Sequence, residues 1–430
     1  MTSVTVGIVS LFVLITVILL RVPVAVALGL VGYFGYAILE GWPRAGLNLG
    51  TAPIELAQAY TFSVVPLFTL MGAVAAVSGL SSDLFRAANS VMRGSRGSLA
   101  VAAIFASGLF GAICGSSVAT ALTMSRVSIP EMLREGYKPA LAAGAVAAGG
   151  TLGILIPPSL ILMIYAIIAQ LSIAELFAAS LVPGLLLMIF YAVIALFLGR
   201  RDQRSETVRP APPLIPSLLR IWHMVLLFVA TIGGIYAGIF TPTEAAAVGA
   251  LGAVILALVT GRATISTLGT TALETVRLVS TVIFIVMAST IFSYFIVQTG
   301  ISNVVSDAMR TAGLGPFGVI IVLCVIYVVL GCFLEGIAMI LITVPIVLPL
   351  VVSFGYDPIW FGVLLVILIE IGLITPPVGM NLFVIRATSP ELKISDIYFG
   401  ALPFLLAPLL LIALMILWPQ TVLWLPSLLK

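Results

Sequence analysis

Two stretches of the sequence combine a break in an apolar run with residues that carry free oxygen atoms. Residues 139–170 contain Gly-Ile-Leu-Ile-Pro-Pro at 153–158, and residues 358–389 contain Gly-Leu-Ile-Thr-Pro-Pro at 372–377. Proline removes a backbone donor and clashes with the preceding turn, so both helices are predicted to break there. A broken helix inside a membrane frees carbonyl oxygens that can hold a cation such as Na⁺, and its half-helix N-termini can face an anion.

Hydroxyl groups and glycine carbonyls cluster near these breaks and in two glycine-rich apolar stretches, at about 98–124 and 316–350. In the first half the oxygen-bearing candidates are Ser107, Ser116, Ser117, Thr120, Gly150, Thr151 and Gly153. In the second half they are Gly331, Glu335, Thr375, Met380 through its carbonyl, and Asn381. Serine and threonine in membrane helices also bond to their own i−4 carbonyl or hold helices together, so both interpretations stay open for each hydroxyl.

Glu335 and Glu370 are the two carboxylates that the sequence places deep in apolar stretches. A charge at membrane depth is costly and usually functional. Glu335 lies in the second glycine-rich stretch, where it can cap a returning helix or lie beside a cation, whereas as a direct ligand it would repel an anion. For Glu370, which precedes the second break, ion coupling and a hydrogen-bonded packing role are both open.

Catalytic arrangements are missing from the sequence. The one histidine, His223, lies at the start of an apolar run, and we interpret it as an interfacial side chain with its hydrogen bonds satisfied. The sequence contains no H-E-x-x-H zinc motif and no Walker glycine loop. Gly115-Ser116-Ser117 could imitate an intramembrane serine protease, but the only histidine lies in the other half of the chain. We therefore predict that the protein is not an enzyme. Without a nucleotide site the chain cannot itself use ATP, so any uphill transport would have to draw on an ion gradient or a partner.

The composition excludes most classes of protein. Of the 430 residues, 62% are hydrophobic and 8% are charged, whereas soluble proteins carry about 25% charged residues. A disordered chain is excluded as well, because disorder requires few large apolar residues. The net charge of +3 is too small and too scattered to indicate nucleic acid. The remaining class is an all-α polytopic membrane protein with ~20 apolar residues per span.

Apolar runs between charged or turn-rich segments give the predicted membrane spans. They lie near residues 5–20, 23–39, 63–80, 139–170, 177–198, 219–240, 242–261, 278–299, 358–389 and 398–418. The opening Met-Thr-Ser-Val has no basic segment, so the first run is predicted to be a span and not a cleaved signal peptide. The cysteines, Cys114, Cys324 and Cys332, are odd in number and lack metal-ligand spacing, which indicates small core residues.

Charge placement indicates how the two glycine-rich stretches, 98–124 and 316–350, enter the membrane. If both are re-entrant hairpins, the chain crosses ten times with its N-terminus outside, and sixteen of the 19 basic residues face the cytoplasm. Only Arg44, Arg310 and Lys430 then face out. Cytoplasmic loops are enriched in lysine and arginine, and the sequence therefore predicts two re-entrant hairpins.

The two halves of the chain resemble each other at an offset near 220 residues. Gly111 of the first hairpin aligns with Gly331 of the second, and the two Pro-Pro breaks align as well. The hairpins would open to opposite sides, so we predict inverted repeats, which are typical of alternating-access transporters with a site at the midplane. Residues 1–198 hold the first repeat, 199–217 form a cytoplasmic linker, and 218–430 hold the second repeat.

Five motifs, in order, resemble those of the large membrane subunit of tripartite ATP-independent periplasmic (TRAP) transporters. They are Arg21-Val-Pro23-Val-Ala25-Val-Ala27-Leu-Gly29, Gly111-Ala-Ile-Cys-Gly115-Ser116-Ser117-Val-Ala119-Thr120-Ala121, Gly153-Ile-Leu-Ile-Pro157-Pro158-Ser159, Gly238-Ile-Phe-Thr241-Pro242-Thr243-Glu244-Ala245-Ala246-Ala247 and Thr375-Pro376-Pro377-Val-Gly379-Met380-Asn381. The resemblance runs from about residue 5 to residue 418.

The resemblance implies an elevator-type transporter of the ion-transporter superfamily, in which a domain carrying both hairpins and both broken helices slides against a scaffold. It implies that Na⁺, as coupling ion, binds between each hairpin and the neighbouring break, and that substrate binds between the hairpin tips. The residues that this pattern assigns to Na⁺ are Ser107, Gly150, Gly153, Gly331, Gly372, Thr375 and Met380. Those that it assigns to substrate are Ser116, Ser117, Thr120 and Gly336.

The same resemblance implies import of an organic anion across the cytoplasmic (inner) membrane of a bacterium or an archaeon. A small four-helix membrane subunit and an extracytoplasmic substrate-binding protein are expected as separate polypeptides. A carboxylate such as a C4-dicarboxylate or sialic acid fits a site of N–H groups, hydroxyls and Na⁺, and the sequence does not choose between them. The alternative is a stand-alone anion/Na⁺ or anion/H⁺ symporter of the same superfamily.

Overall fold

The structure, a computed structural model, describes residues 2–92, 97–202 and 213–428. Within these ranges the chain is helical, and no strand is present. Some residues used in the charge analysis, and the middle of the predicted linker 199–217, lie outside the described residues. Those basic residues are Arg93, Arg96, Arg204, Arg209 and Lys430.

In the described residues of its first half, the chain forms ten α-helices. They are α1 Ser3–Leu19, α2 Val24–Glu40, α3 Trp42–Gln58, α4 Val64–Val77, α5 Leu80–Met92, α6 Ser98–Cys114, α7 Ser117–Arg134, α8 Pro139–Thr151, α9 Leu160–Ala169 and α10 Ile173–Asp202. Helices α3 and α5 are absent from the predicted spans. Both are amphipathic, with polar residues interleaved among apolar ones, so their average hydropathy stays low although one face packs on the protein.

The structure describes thirteen further helices in the second half. They are α11 Leu214–Leu219, α12 Trp222–Phe228, α13 Gly234–Tyr236, α14 Pro242–Val259, α15 Ile265–Thr299, α16 Ile301–Thr311, α17 Pro316–Gly331, α18 Gly336–Ser353, α19 Pro358–Ile374, α20 Met380–Thr388, α21 Ile394–Ala401, α22 Leu406–Leu417 and α23 Gln420–Leu428. Helix α15 is longer than the predicted span 278–299, because it begins with an extra stretch that includes the exposed Glu274 and Arg277.

Six helical segments in the described part of the chain are long and apolar enough to span a membrane. They are Tyr60–Val77, Ile173–Arg200, Pro242–Val259, Ile265–Thr299, Gly336–Ser353 and Ile394–Leu417. Eight shorter apolar helices of 10–17 residues accompany them. Several predicted spans are therefore built from short helices, which is the expected consequence of glycine and proline interruptions.

Both predicted helix breaks are confirmed. Helix α8 ends at Thr151, a single 3₁₀ turn follows at Leu152–Ile154, and α9 begins only at Leu160. Helix α19 ends at Ile374, and α20 begins at Met380. The Pro-Pro peptide bond in each break is cis.

Each glycine-rich stretch folds back on itself as a pair of antiparallel helices. Helix α6 ends at Cys114, the next residue Gly115 adopts a φ of +66° that favours glycine, and α7 begins at Ser117. The backbone N–H of Leu99, at the start of α6, donates to the Tyr137 hydroxyl, beyond the end of α7, at 3.3 Å. In the other pair, the Tyr327 hydroxyl on α17 donates to Thr343 Oγ1 on α18 at 2.7 Å. These hydrogen bonds hold the two helices of each pair side by side.

The centre of the protein is formed by the two helices that precede the breaks. Every residue from 141 to 151 on α8, and every residue from 359 to 374 on α19, is buried. Helix α8 packs closely on α21, because Gly144 and Gly400 bring the two backbones together, and a Cβ at Gly144 would lie 2.0 Å from the Gly400 carbonyl oxygen. The breaks are consequently held at fixed positions inside the fold.

Helix contacts follow the same pattern in the two halves. Helix α2 packs on α15, and α4 packs on α14. The second helix of each antiparallel pair packs on the resumed helix of the other half, so that α7 contacts α20 and α18 contacts α9. The two halves are thus interleaved around the breaks.

Candidate functional site

Two glycine pairs bring each antiparallel helix pair against its break. A Cβ on Gly111 of α6 would lie 2.5 Å from the Cα of Gly153. A Cβ on Gly372 would lie 2.6 Å from the carbonyl carbon, the Cα and the carbonyl oxygen of Gly331 on α17. Only glycine permits such an approach of two backbones. The residues that the sequence aligned with each other therefore make the same contact in both halves.

The predicted first-half residues come together around Gly153. The Thr120 hydroxyl donates to the Ser116 carbonyl oxygen at 2.7 Å. A Cβ on Gly153 would lie 2.8 Å from Thr120 Oγ1 and 3.0 Å from the Ser116 carbonyl oxygen. Gly150, one turn earlier on α8, lies against Ala121 of α7. This side of the break is consequently surrounded by backbone and hydroxyl oxygens.

Ser107 extends the same patch along α6. It is fully buried, and its hydroxyl has no hydrogen-bond partner among the described residues. It faces α8, where a Cβ on Gly149 would lie 2.8 Å from Ser107 Oγ. A buried hydroxyl without a partner is costly, so this group is the kind of side chain that a bound ion would satisfy.

The second-half candidates divide into two groups. Gly331 and Gly372 are in contact, and the Thr375 hydroxyl donates to the Ile371 carbonyl oxygen at 2.5 Å, within the same turn as the break. Met380 starts α20 on the far side of the break, where its side chain is 37% exposed. Gly331, Gly372 and Thr375 therefore lie together at the glycine contact, and Met380 lies where the chain resumes its helix after the break.

The tip of the second helix pair is capped by a carboxylate. Glu335 Oε2 accepts hydrogen bonds from the N–H groups of Ile337 at 3.0 Å and Ala338 at 3.2 Å. The predicted capping role of Glu335 is thereby confirmed. Its neighbour Gly336 packs against the side chains of Ile369 and Ile161, so it lies in a contact between α18 and the two broken helices.

The first tip is capped differently. Ser116 Oγ accepts the Ala119 N–H at 3.4 Å, which is a neutral cap. Ser117, the next residue, is buried, and its hydroxyl is hydrogen-bonded to the Asn381 side chain. The N-terminus of α7 therefore keeps its positive dipole end, whereas that of α18 is neutralised by Glu335.

Asn381 joins the two halves at this point. Its fully buried side-chain Nδ2 donates to Ser117 Oγ at 2.8 Å and to the Ala147 carbonyl oxygen of α8 at 3.3 Å. Two turns further along, Ser125 and Thr388 are hydrogen-bonded at 2.7 Å, which continues the contact between α7 and α20. The sequence predicted only that Asn381 could supply an oxygen atom as a ligand. Its link to Ser117 joins positions too distant in sequence for any spacing to reveal.

Four further buried polar side chains have an atom without a partner in the described part of the chain, namely Ser128, His223, Tyr236 and Glu370. Glu370 on α19 is fully buried, and neither carboxylate oxygen has a hydrogen bond to a described residue. The hydrogen-bonded packing role therefore gains no support, and ion coupling stays a prediction. His223 is buried with its Nε2 unpaired among these residues, so the prediction of a satisfied interfacial histidine was wrong.

Comparison with known proteins gives one consistent result. Residues 9–421 match the family model of the tripartite ATP-independent periplasmic transporter, DctM component. The C4-dicarboxylate TRAP transporter large permease protein DctM of Pseudomonas aeruginosa is 36% identical over 410 residues, covering 93% of this chain and 94% of the relative. The sialic acid TRAP transporter large permease protein SiaM of Vibrio cholerae is 33% identical, covering 86% of this chain and 87% of the relative.

A solved structure shares the fold. The YdaH transporter of Alcanivorax borkumensis aligns with a TM-score of 0.62 at 17% identity, covering 88% of this chain and 90% of that structure.

Proposed function

The chain belongs to the DctM family of large permease components of TRAP transporters, and from this premise we propose that it imports an organic anion coupled to Na⁺. The observation that carries the proposal is the repeated glycine contact, Gly111 on Gly153 and Gly331 on Gly372. It brings a hairpin against a broken helix twice, each time beside backbone or hydroxyl oxygen atoms.

We propose that the two halves are inverted repeats, each with a re-entrant hairpin and a broken transmembrane helix. The matching contacts of α7 with α20 and of α18 with α9 support this, because a two-fold relation between the halves requires such reciprocal pairs. An elevator motion would carry both hairpins and both breaks together. The packing of each hairpin on the other half's broken helix supports movement as one body.

Na⁺ is proposed to bind at each glycine contact. The first ion would use oxygens at Ser107, Gly150 and Gly153, and the unpartnered Ser107 hydroxyl is the strongest support for it. The second ion would be held by oxygens of a separate set of residues at the second break. This set consists of Gly331, Gly372, Thr375 and Met380. Unwound backbone at membrane depth is tolerated where it lines such a polar site.

The substrate anion is proposed to bind between the hairpin tips, with Ser116, Ser117, Thr120 and Gly336 as its nearest residues. The neutral cap of the first tip leaves α7 able to attract a negative group, whereas Glu335 already occupies the N–H groups of the second tip. The anion would therefore contact mainly the first hairpin. A carboxylate is the proposed class, since the relatives named for C4-dicarboxylate and sialic acid transport share that group.

The proposed assembly includes two partners, a small four-helix membrane subunit and an extracytoplasmic substrate-binding protein, in the inner membrane with the N-terminus outside. The alternative, a self-sufficient symporter, uses the same site without a binding protein. Uptake into proteoliposomes separates the two. Proteoliposomes that contain both membrane subunits are given succinate or sialic acid. One of these two anions should accumulate inside them only when an inward Na⁺ gradient and the binding protein are both present.

Accumulation that is unaffected by removing Na⁺ would refute the coupling, and accumulation without the binding protein would favour the self-sufficient symporter. Gly153→Ala places a Cβ beside Thr120 and Ser116, and we expect it to weaken the Na⁺ dependence. Gly269→Ala is the matched control, because Gly269 lies on a helix with no atom within 4 Å of an added Cβ.

A further inference from the structure

A polar cavity lies between α5, α7 and the short helix α11, separate from the breaks. Its volume is about 610 Å³, which is within the range of about 300–1,000 Å³ typical of small-molecule sites. Arg86 of α5, Arg126 of α7 and Arg220 at the end of α11 all line it, together with Glu131. We refer to it as the arginine cavity.

The arginine cavity has an excess of positive charge. Glu131 is the only carboxylate in its described lining, and it also lies 3.5 Å from Arg134, which is not part of the lining. Among the residues that the structure describes, no ion pair or hydrogen bond engages the guanidinium groups of Arg86, Arg126 and Arg220. Three converging guanidinium groups are the usual means of holding a phosphate or a carboxylate.

The cavity is distinct from the proposed transport site. Arg126 follows Ser117 by nine residues on one helix, so the two lie about 14 Å apart along α7. Helix α11 is amphipathic: one face lines the cavity, and the other carries Ile215 and Leu219, which are 70% and 65% exposed. The following Trp222 is 53% exposed. Exposed tryptophan and aliphatic residues beside arginines are typical of the membrane–water interface.

We propose that the arginine cavity binds the headgroup of an anionic phospholipid. The phosphate would be held by the three arginines, and the acyl chains would extend along Ile215 and Leu219. A soluble phosphate or carboxylate could use the same guanidinium groups, but only a lipid also uses the exposed apolar residues of α11. Because Arg86 lies before the first hairpin, Arg126 lies on its second helix and Arg220 lies at the start of the second half, one lipid would connect all three segments.

Lipid retention by the full-length chain tests the proposal. The protein is reconstituted in nanodiscs of phosphatidylcholine with 20% phosphatidylglycerol, and retained lipids are counted by native mass spectrometry. We expect the wild type to retain phosphatidylglycerol preferentially, with about fivefold weaker retention in Arg126→Gln or Arg220→Gln. Arg277→Gln is the matched control, since Arg277 is an exposed arginine of α15 outside the cavity.

Equal retention of both lipids by the wild type would overturn the proposal, as would a preference that survives the loss of all three arginines. Inorganic phosphate and succinate form a second arm. If either raises the melting temperature in detergent through Arg126 while phosphatidylglycerol does not, the cavity is a soluble-anion site and the lipid proposal is wrong. Arg126→Lys guards against misfolding, because it keeps the charge and should keep most of the preference.

Discussion

Substituting Gly372 by alanine gives the sharpest test of the proposed second Na⁺ site. The added Cβ would lie 2.6 Å from three backbone atoms of Gly331, whereas an ordinary contact is at least 3.4 Å. The backbones must therefore separate by about 0.8 Å. Helix α19 is buried from Ile359 to Ile374, so the shift cannot be absorbed at a free surface. Overpacking of this kind costs about 1–3 kcal/mol of stability.

The same displacement should weaken Na⁺ binding. Small changes around a metal site commonly lower affinity by about 10–100-fold. At a Na⁺ concentration of 100 times the wild-type dissociation constant, a bound ion stabilises the folded state by about 2.7 kcal/mol. A tenfold weaker site would provide only about half of that stabilisation. We therefore expect the Na⁺-induced rise in melting temperature to fall by about half or more in Gly372→Ala.

The assay is thermal unfolding of the purified protein in detergent, with Na⁺ titrated against choline at constant ionic strength. Gly331→Ala approaches the same contact from the other side, at 3.1 Å from a single atom, and should have a milder effect. Gly269→Ala should leave the Na⁺ response unchanged. The reasoning is refuted if Gly372→Ala responds to Na⁺ like the wild type, or if Gly269→Ala loses as much of the response.

Three further predictions concern the contacts that position the site. Asn381→Ala should lower the free energy of unfolding by about 1–3 kcal/mol, because it leaves buried polar groups unpaired. A double-mutant cycle with Ser117→Ala should show a coupling energy above about 0.5 kcal/mol, and additive effects of the two substitutions would contradict the hydrogen bond between these side chains. Glu335→Ala should lower the free energy of unfolding, measured by denaturant titration, by about 0.5–2 kcal/mol, because it removes the cap of α18. Glu335→Gln should lower it less, and equal losses in the two variants would argue against the cap. Gly144→Ala should reduce the yield of folded, monodisperse protein on size-exclusion chromatography far more than Gly269→Ala does, because a Cβ at residue 144 would overlap the Gly400 carbonyl oxygen. A normal yield of Gly144→Ala would contradict the close packing of α8 on α21.

Local chemistry made the breaks and one cap predictable. Two consecutive prolines shortly after a glycine remove two backbone donors in a row, so both interruptions followed from the sequence. Single prolines, such as Pro183 of α10 and Pro345 of α18, lie inside continuous helices. The cap formed by Glu335 was predictable as well, since its acceptor atoms and the donors of α18 are two and three residues apart. The amphipathic helices α3 and α5 were missed, because a span search averages hydropathy and discards the face on which a residue lies.

The contacts between distant segments were not accessible from one sequence. Ser117 and Asn381 are 264 residues apart, and nothing in their neighbourhoods specifies that α7 and α20 adjoin. The unpaired Ser107 hydroxyl was likewise indistinguishable from any serine that bonds to its own helix. The arginine cavity assembles Arg86, Arg126 and Arg220 from three helices, and their shared side of the membrane was predicted while their convergence was not.

The pairing of each hairpin with the other half's broken helix has a consequence for how the protein is made. Ser117 leaves the ribosome 264 residues before the Asn381 side chain that will satisfy it. At about 5–20 residues per second, that interval lasts about 13–50 s. Throughout it the first hairpin must stay in the membrane without its permanent neighbour α20. Insertion and final assembly are therefore separate stages, and the last helices to be synthesised complete the first site.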